Sequence, residues 1–399
     1  MKISSKIVSV FVAASIGKCL ADDDNALRGG RRDRDRGKEL YKGVRFNKFN
    51  VVGSSDDGFT PLLKYDYPIS KNGNDDVWKF LKDETDAASV VNVKKDFEVI
   101  YDVKDLIDKV GGEPQHPNND NTSSYWEELR EVIEMRGKED KNPASTELSK
   151  QMQLPLRWEN YTVYDVAEAV HDEYPGLHQA EFLEDLVVQR KYGEIEFDNK
   201  ALSKRSGTRF LRGIVALADL HTWSVGVVAP HNFGAKWYAG RARPEEVAFK
   251  IYKSEIAEDY VPADIFDSIK NMPWPLDKAT DFTQYPEGSP MHPSWPAMHS
   301  AASNISFWLQ VIMKLTPKQL CEAKKVDYAV AYARTVAGVH FPNDNLAGLN
   351  MGQEIVSRAL PEHLDTKYDS NKNYVREQVF KKRFDWKDYD ELEDCGSLV

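Results

Sequence analysis

Apolar residues recur at steps of three and four along most of the chain beyond residue 120. Behind Ser123-Ser124, the run from Tyr125 to Ile133 sets Tyr125, Trp126, Leu129, Val132 and Ile133 in a stripe between acidic and basic residues. A capping serine ahead of such a stripe predicts an amphipathic helix. The same period predicts helices over 164–171, 178–190, 208–220, 244–256, 297–315, 318–338 and 346–360. Strand-like alternation is scarce, and 97–101 is a short piece that reads either way. Gly and Pro gather at 114–117, 273–275 and 286–296, where helix-to-helix connections belong. The expected fold class is all-α, with helical bundles packed as one large domain.

Both ends depart from that pattern. Met1 to Lys6 is short and basic, residues 7–16 are apolar but too few to span a bilayer, and Cys19-Leu20-Ala21 offers small residues for cleavage. Residues 1–21 therefore read as a secretory signal, and the protein as secreted and extracellular. Cutting after Ala21 removes three lysines and no acid, which takes the formal charge from −11 to −14. Residues 22–44 are charged and nearly free of large apolar groups, so they cannot offset their ordering entropy and read as a flexible leader. The helical domain is expected over 45–385. Residues 386–399 read as an acidic tail with a few apolar anchors.

No other stretch reaches 18 uninterrupted apolar residues, so no membrane span is expected once the signal is gone. The acidic balance makes nucleic acid and anionic membrane surfaces poor partners. Cys321 and Cys395 remain after cleavage, and a disulfide or two free thiols fit the sequence equally. Asn121, Asn160 and Asn304 head glycosylation sequons, the last within an expected buried helix.

Against the acidic background, three fragments stand out: Lys236–x6–Arg243–Pro244, Pro293 to His299, and Arg334–x5–His340–x3–Asp344. Together they supply three permanent positive charges, two histidines and a carboxylate. That is a set for gripping a tetrahedral or trigonal-bipyramidal oxyanion. Pro296 opens a predicted helix whose first N–H groups, from Ala297, Met298 and His299, would face an anion. His299 would give or take a proton there.

Residues six apart lie about 120° out of register on one helix. Gly338 and Pro342 must therefore turn the chain before Arg334 and His340 can share a ligand. Asp344 would accept from the His340 Nδ1–H and leave Nε2 free. Lys236 and Arg243 share a face if their segment is helical. Taken singly, each fragment also fits a blander role: an incidental histidine at a helix start, a histidine closing a helix end, solvated basic residues beside aromatics. Arg241 fits that last role better than Arg243 does.

The set Lys-x6-Arg-Pro, Pro-x2-His and Arg-x5-His-x3-Asp resembles the vanadium-dependent haloperoxidases and the related acid and type-2 phosphatidic-acid phosphatases. The likeness covers Lys236 to Asp344 and includes a haloperoxidase-like lead-in from Glu287 to Pro296. It implies a vanadate cofactor in the C-terminal bundle, with His340 as its single protein ligand. Lys236, Arg243 and Arg334 would bind the vanadate oxygens, and His299 would serve proton transfer with hydrogen peroxide. The products would be hypohalous species that halogenate a small organic acceptor. His292 stands where bromoperoxidase-like members carry histidine, which favours bromide and iodide. Homo-oligomerisation is open.

Two departures matter. Ala297 and Met298 replace a serine and a glycine; Ala297 lacks the serine's hydroxyl donor, and methionine is strained if its position needs φ above zero. Two further readings stand beside the peroxidase: a secreted acid phosphatase forming a phosphohistidine at His340, and a non-catalytic protein with a vestigial anion pocket.

Overall fold

The computed structural model describes residues 49–50, 64–65, 101–116, 122–137, 154–158, 161–170, 175–202, 209–285, 289 and 293–391. The signal, the charged leader, His292, Cys395, Asn121 and Asn160 lie outside the described residues. The fold is all-α. Strand pairing among the described residues is limited to a two-residue ladder, Phe49–Asn50 against Lys64–Tyr65, and a bridge between Phe197 and Met313.

In chain order the helices are α1 Val103–Lys109, α2 Ser124–Gly137, α3 Val163–Ala169, α4 Leu177–Val187, α5 Arg209–Ala239 and α6 Pro244–Tyr252. They continue as α7 Ala263–Lys270, α8 Met298–Ala302, α9 Ile305–Ile312, α10 Pro317–Val336, α11 Pro342–Tyr368 and α12 Lys372–Lys382. Three of them begin with one grammar. Arg243-Pro244, Thr316-Pro317 and Phe341-Pro342 put proline at the first helical position. Two residues after each proline, Glu246, Gln319 or Asp344 reaches back to the N-cap N–H. Proline gives up an N–H that would be unpaired there, and the returning side chain satisfies another.

Several helices differ from their predicted extents: α6, expected over 244–256, ends at Tyr252; α11, expected over 346–360, spans Pro342–Tyr368; and two more depart further. The stretch expected to end at Leu220 runs on to Ala239, and polar as well as apolar side chains are buried along the added length. His221, Ser224, His231, Asn232 and Lys236 are all buried along it, and Pro230 costs one backbone bond without ending it. Within it, Gly213–Lys236 is long and apolar enough to cross a membrane by length and composition, and 56% of its 18-residue apolar window is buried in the protein.

The helix expected over 297–315 breaks into α8 and α9 at Ser303–Asn304. There Ser303 Oγ donates to the His299 carbonyl and Asn304 Nδ2 to that of Ala301, taking acceptors that a continuing helix would use. Asp327 on α10 then accepts the Ser306 N–H at 2.9 Å and starts α9. Asn304, as expected, is buried.

Apolar side chains form several cores. The largest joins α4, α5, α8, α9 and α11; a second joins α2, α6 and α7; a third joins α3 and α10 with Tyr285. Val339 belongs to the third, Phe341 to the second and Ala347 to the first, so the α10–α11 corner lies where all three meet. The packing of α8 on α11 is close: a Cβ on Gly352 would sit 2.0 Å from the Ala301 carbonyl oxygen. Of the expected acidic tail, 386–391 are described and 392–399 lie outside the described residues. Residues 386–391 form a 3-10 turn with Trp386 and Tyr389 buried beside Ala331 and Leu349.

Candidate oxyanion site

Lys236 occupies the last turn of α5 and Arg243 the N-cap of α6. The two are therefore brought together by a turn between helices and not by a shared helical face. Lys236 Nζ donates to the carbonyls of Pro293 and Ser294, each at 2.9 Å. The same turn holds the second fragment, because the Ser294 N–H donates to the Arg241 carbonyl at 2.8 Å.

The third fragment needs its glycine. At φ +79°, Gly338 turns the chain after α10, and the N–H groups of Val339 and His340 return to the Arg334 carbonyl. An L side chain is strained there, and a Cβ would also meet Arg136 at 2.9 Å. The corner sends His340 towards Arg243, whose Nη1 donates to the Val339 carbonyl at 2.9 Å and lies 3.4 Å from His340 Nε2. Arg243 is a permanent donor, so Nε2 presents a lone pair and the ring proton belongs on Nδ1. Nδ1 faces Ser294 Oγ at 3.2 Å and Asp344 Oδ2 at 3.3 Å. Ser294 Oγ also donates to Asp344 Oδ2.

Arg241 corrects the sequence reading, which made it a solvated surface residue. It is fully buried, its Nη1 2.7 Å from Asp344 Oδ1 and its Nη2 2.9 Å from Glu128 Oε1. Its guanidinium lies 4.1 Å from the centre of the Phe341 ring.

Arg334 is pinned at Nη1 by the Val170 carbonyl and the Tyr285 hydroxyl, while its buried Nε has no hydrogen-bond partner. Bonds join Lys236, Arg243, His340 and Asp344 to one another or to the same short segments. Arg334 joins through its field at Lys236 and through the backbone corner.

His299 sits half-buried in the first turns of α8, a helix clamped between α5 and α11. The Ala297 N–H, expected to be open to an anion, donates to the Asp344 carbonyl at 2.8 Å. Met298 has helical backbone, so the expected strain does not arise, and its side chain packs into the largest core.

Lys236, Arg243 and Arg334 are 0%, 1% and 3% exposed. Burial, then Arg243 and Arg334, drives the Lys236 amine well below its ordinary pKa. Burial and then Arg243 likewise hold His340 well below the usual histidine value, so its imidazole is neutral. Burial pushes the Asp344 carboxyl up, but Arg241, His340 and Ser294 outweigh it and keep the group ionised. Glu245, next to the Arg243-Pro244 corner, is pushed up to about 7 by burial despite Arg243 and Ser289.

The result is a dry set of cations around a neutral imidazole. It can attract an anion and offer it one nitrogen lone pair. The motifs omitted Ser294, Arg241, Glu128 and Tyr285. Nothing in their spacing marks them, though Ser294 lies inside the quoted Pro293–His299 fragment. No group of three or more His, Cys, Asp or Glu suited to a metal ion occurs among the described residues. Neither family models nor curated proteins give a match to the chain.

Proposed function

We propose that the protein is a vanadium-dependent haloperoxidase, secreted, that uses hydrogen peroxide to oxidise halide, bromide and iodide in preference to chloride. The observation that carries this reading is the gathering of buried basic side chains at one neutral imidazole: Arg243 Nη1 lies 3.4 Å from His340 Nε2, and Lys236 feels the charges of Arg243 and Arg334. Lys236 Nζ donates to the Pro293 and Ser294 carbonyls, Arg243 Nη1 to the Val339 carbonyl, and Arg334 Nη1 to the Val170 carbonyl and the Tyr285 hydroxyl. Buried cations of one sign repel, and an anion relieves them. Arg334 Nε is a donor awaiting an acceptor.

Vanadate fits this donor set, and bound there it supplies the activation of peroxide. His340 Nε2 would hold it, with Nδ1–H fixed by Asp344 and Ser294 so that the lone pair stays on Nε2. Lys236, Arg243 and Arg334 would bind its oxygens and balance charge that develops on them. His299 would move the peroxide proton.

The test uses the apo protein. Peroxide-dependent bromination should require added orthovanadate and vanish in His340→Ala. Phosphate-ester hydrolysis inhibited by vanadate, without bromination, would replace this reading with the phosphatase. Neither activity would mean a lapsed site.

A further inference from the structure

Glu128 belongs to α2, more than a hundred residues before the first motif, yet it holds two things that bear on His340. One of its oxygens, Oε1, accepts from Arg241 Nη2 at 2.9 Å. The other, Oε2, takes Arg241 Nη1 at 3.3 Å and the Asn343 N–H at 3.0 Å, in the first turn of the helix that carries Asp344. The same Arg241 Nη1 donates to Asp344 Oδ1 at 2.7 Å, and Asp344 Oδ2 faces the His340 ring. A continuous line of contacts thus runs from Glu128 through Arg241 and Asp344 to Nδ1.

We propose that Glu128 is a positioning residue for His340: by sharing Arg241 with Asp344, it sets how strongly Asp344 accepts the Nδ1–H and how basic Nε2 becomes. The inference rests on the reading of His340 as the oxyanion ligand. Arg241 is buried, with the rings of Tyr125 and Phe341 over its faces, so no water shares its charge. With two carboxylates, the guanidinium is divided between them. With one, it would draw fully on Asp344 and weaken that oxygen as an acceptor. Glu131 and Asp344 are the acids near Glu128, and Arg241 is the cation. Partners behind a metal-binding histidine typically change affinity by 10–100-fold when removed.

Glu128→Gln keeps the shape and loses the charge. The variant should bind orthovanadate about 10-fold more weakly, and the His340 Nδ1–H proton resonance of the apo protein should move upfield. Glu128→Asp should bring both back towards the wild type. A Glu128→Gln protein with a lower Tm but unchanged resonance and orthovanadate affinity would make Glu128 merely structural and overturn the proposal. Should that variant fail to fold, Arg241→Lys, which cannot fork to both carboxylates, must move the same resonance, upfield if the lysine keeps Asp344 and downfield if it keeps Glu128; an unmoved resonance overturns the proposal equally. Wild-type protein that binds no orthovanadate would sink the haloperoxidase reading, yet the resonance would still decide the role of Glu128.

Discussion

Lys236 has no exposed surface, and its bonds to the Pro293 and Ser294 carbonyls need only an amine, not an ammonium. Burial, then the neighbouring Arg243 and Arg334, lowers its pKa well below the ordinary value. The unfolded chain keeps a lysine pKa near ~10.4, so between the lowered value and that one it binds the proton that the folded protein lacks. This group therefore makes the anion-free protein more stable as pH rises through that window, with no further gain above it. A bound oxyanion reverses the preference by favouring the ammonium, so binding takes up a proton and weakens as pH climbs. Unfolding temperatures and phosphate affinities measured from about pH 8 to 10 should show both trends, and Lys236→Gln should flatten them. Equal slopes in the two proteins would mean that Lys236 stays charged in the empty site. The three motif cations were singled out by the three motifs taken together and by the resemblance they carry, since Lys236 and Arg243 alone fitted solvated basic residues. Their depth was not legible, because the residues that bury them come from distant helices and follow no local pattern.

The sequence reached the corners of the helices more surely than their lengths. Pro244 and Pro317 stand at or next to expected helix starts, whereas Pro342, expected in the turn, opens α11 four residues ahead of the expected Leu346; the turn at Gly338 was required once Arg334 and His340 had to share a ligand. The run of α5 past Leu220 and the break at Ser303 were not foreseen, since both depend on partners far away: a surrounding core in one case, Asp327 in the other. Nor was the seat of α8. Gly348 and Gly352 are one helical turn apart on α11, and a Cβ on either would meet the carbonyl oxygen of Ala297 or Ala301. That close approach brings the helix of His299 against the one bearing Asp344. Gly352→Ala places a methyl 2.0 Å from the Ala301 oxygen, a backbone atom with no flexible end to yield. Overpacking of this kind typically costs about 1–3 kcal/mol. The variant should melt earlier and lose phosphate affinity with Arg243 and His340 untouched. Wild-type affinity after a stability loss would detach α8 from the site.

Across the whole chain the formal charge is −11, yet the candidate site is a cationic patch assembled from three separated stretches. Val339, Phe341 and Ala347 anchor its corner in three different cores, so the site forms only when all of them have packed. An oxyanion binding there favours the native state over the unfolded chain, where the cations are scattered. Mass action then gives about 2.7 kcal/mol at a hundredfold excess over the dissociation constant. Phosphate and orthovanadate should both raise Tm in one cooperative transition, and under the proposed function orthovanadate by more, because vanadium would take the His340 lone pair into a bond where free inorganic phosphate would not. In His340→Ala the cation trio persists, so phosphate should still stabilise while the extra gain from orthovanadate disappears. Calorimetry of the two proteins with each anion separates the two contributions. A phosphate shift lost along with the orthovanadate one would place the anion grip on the imidazole and leave the three cations without that role.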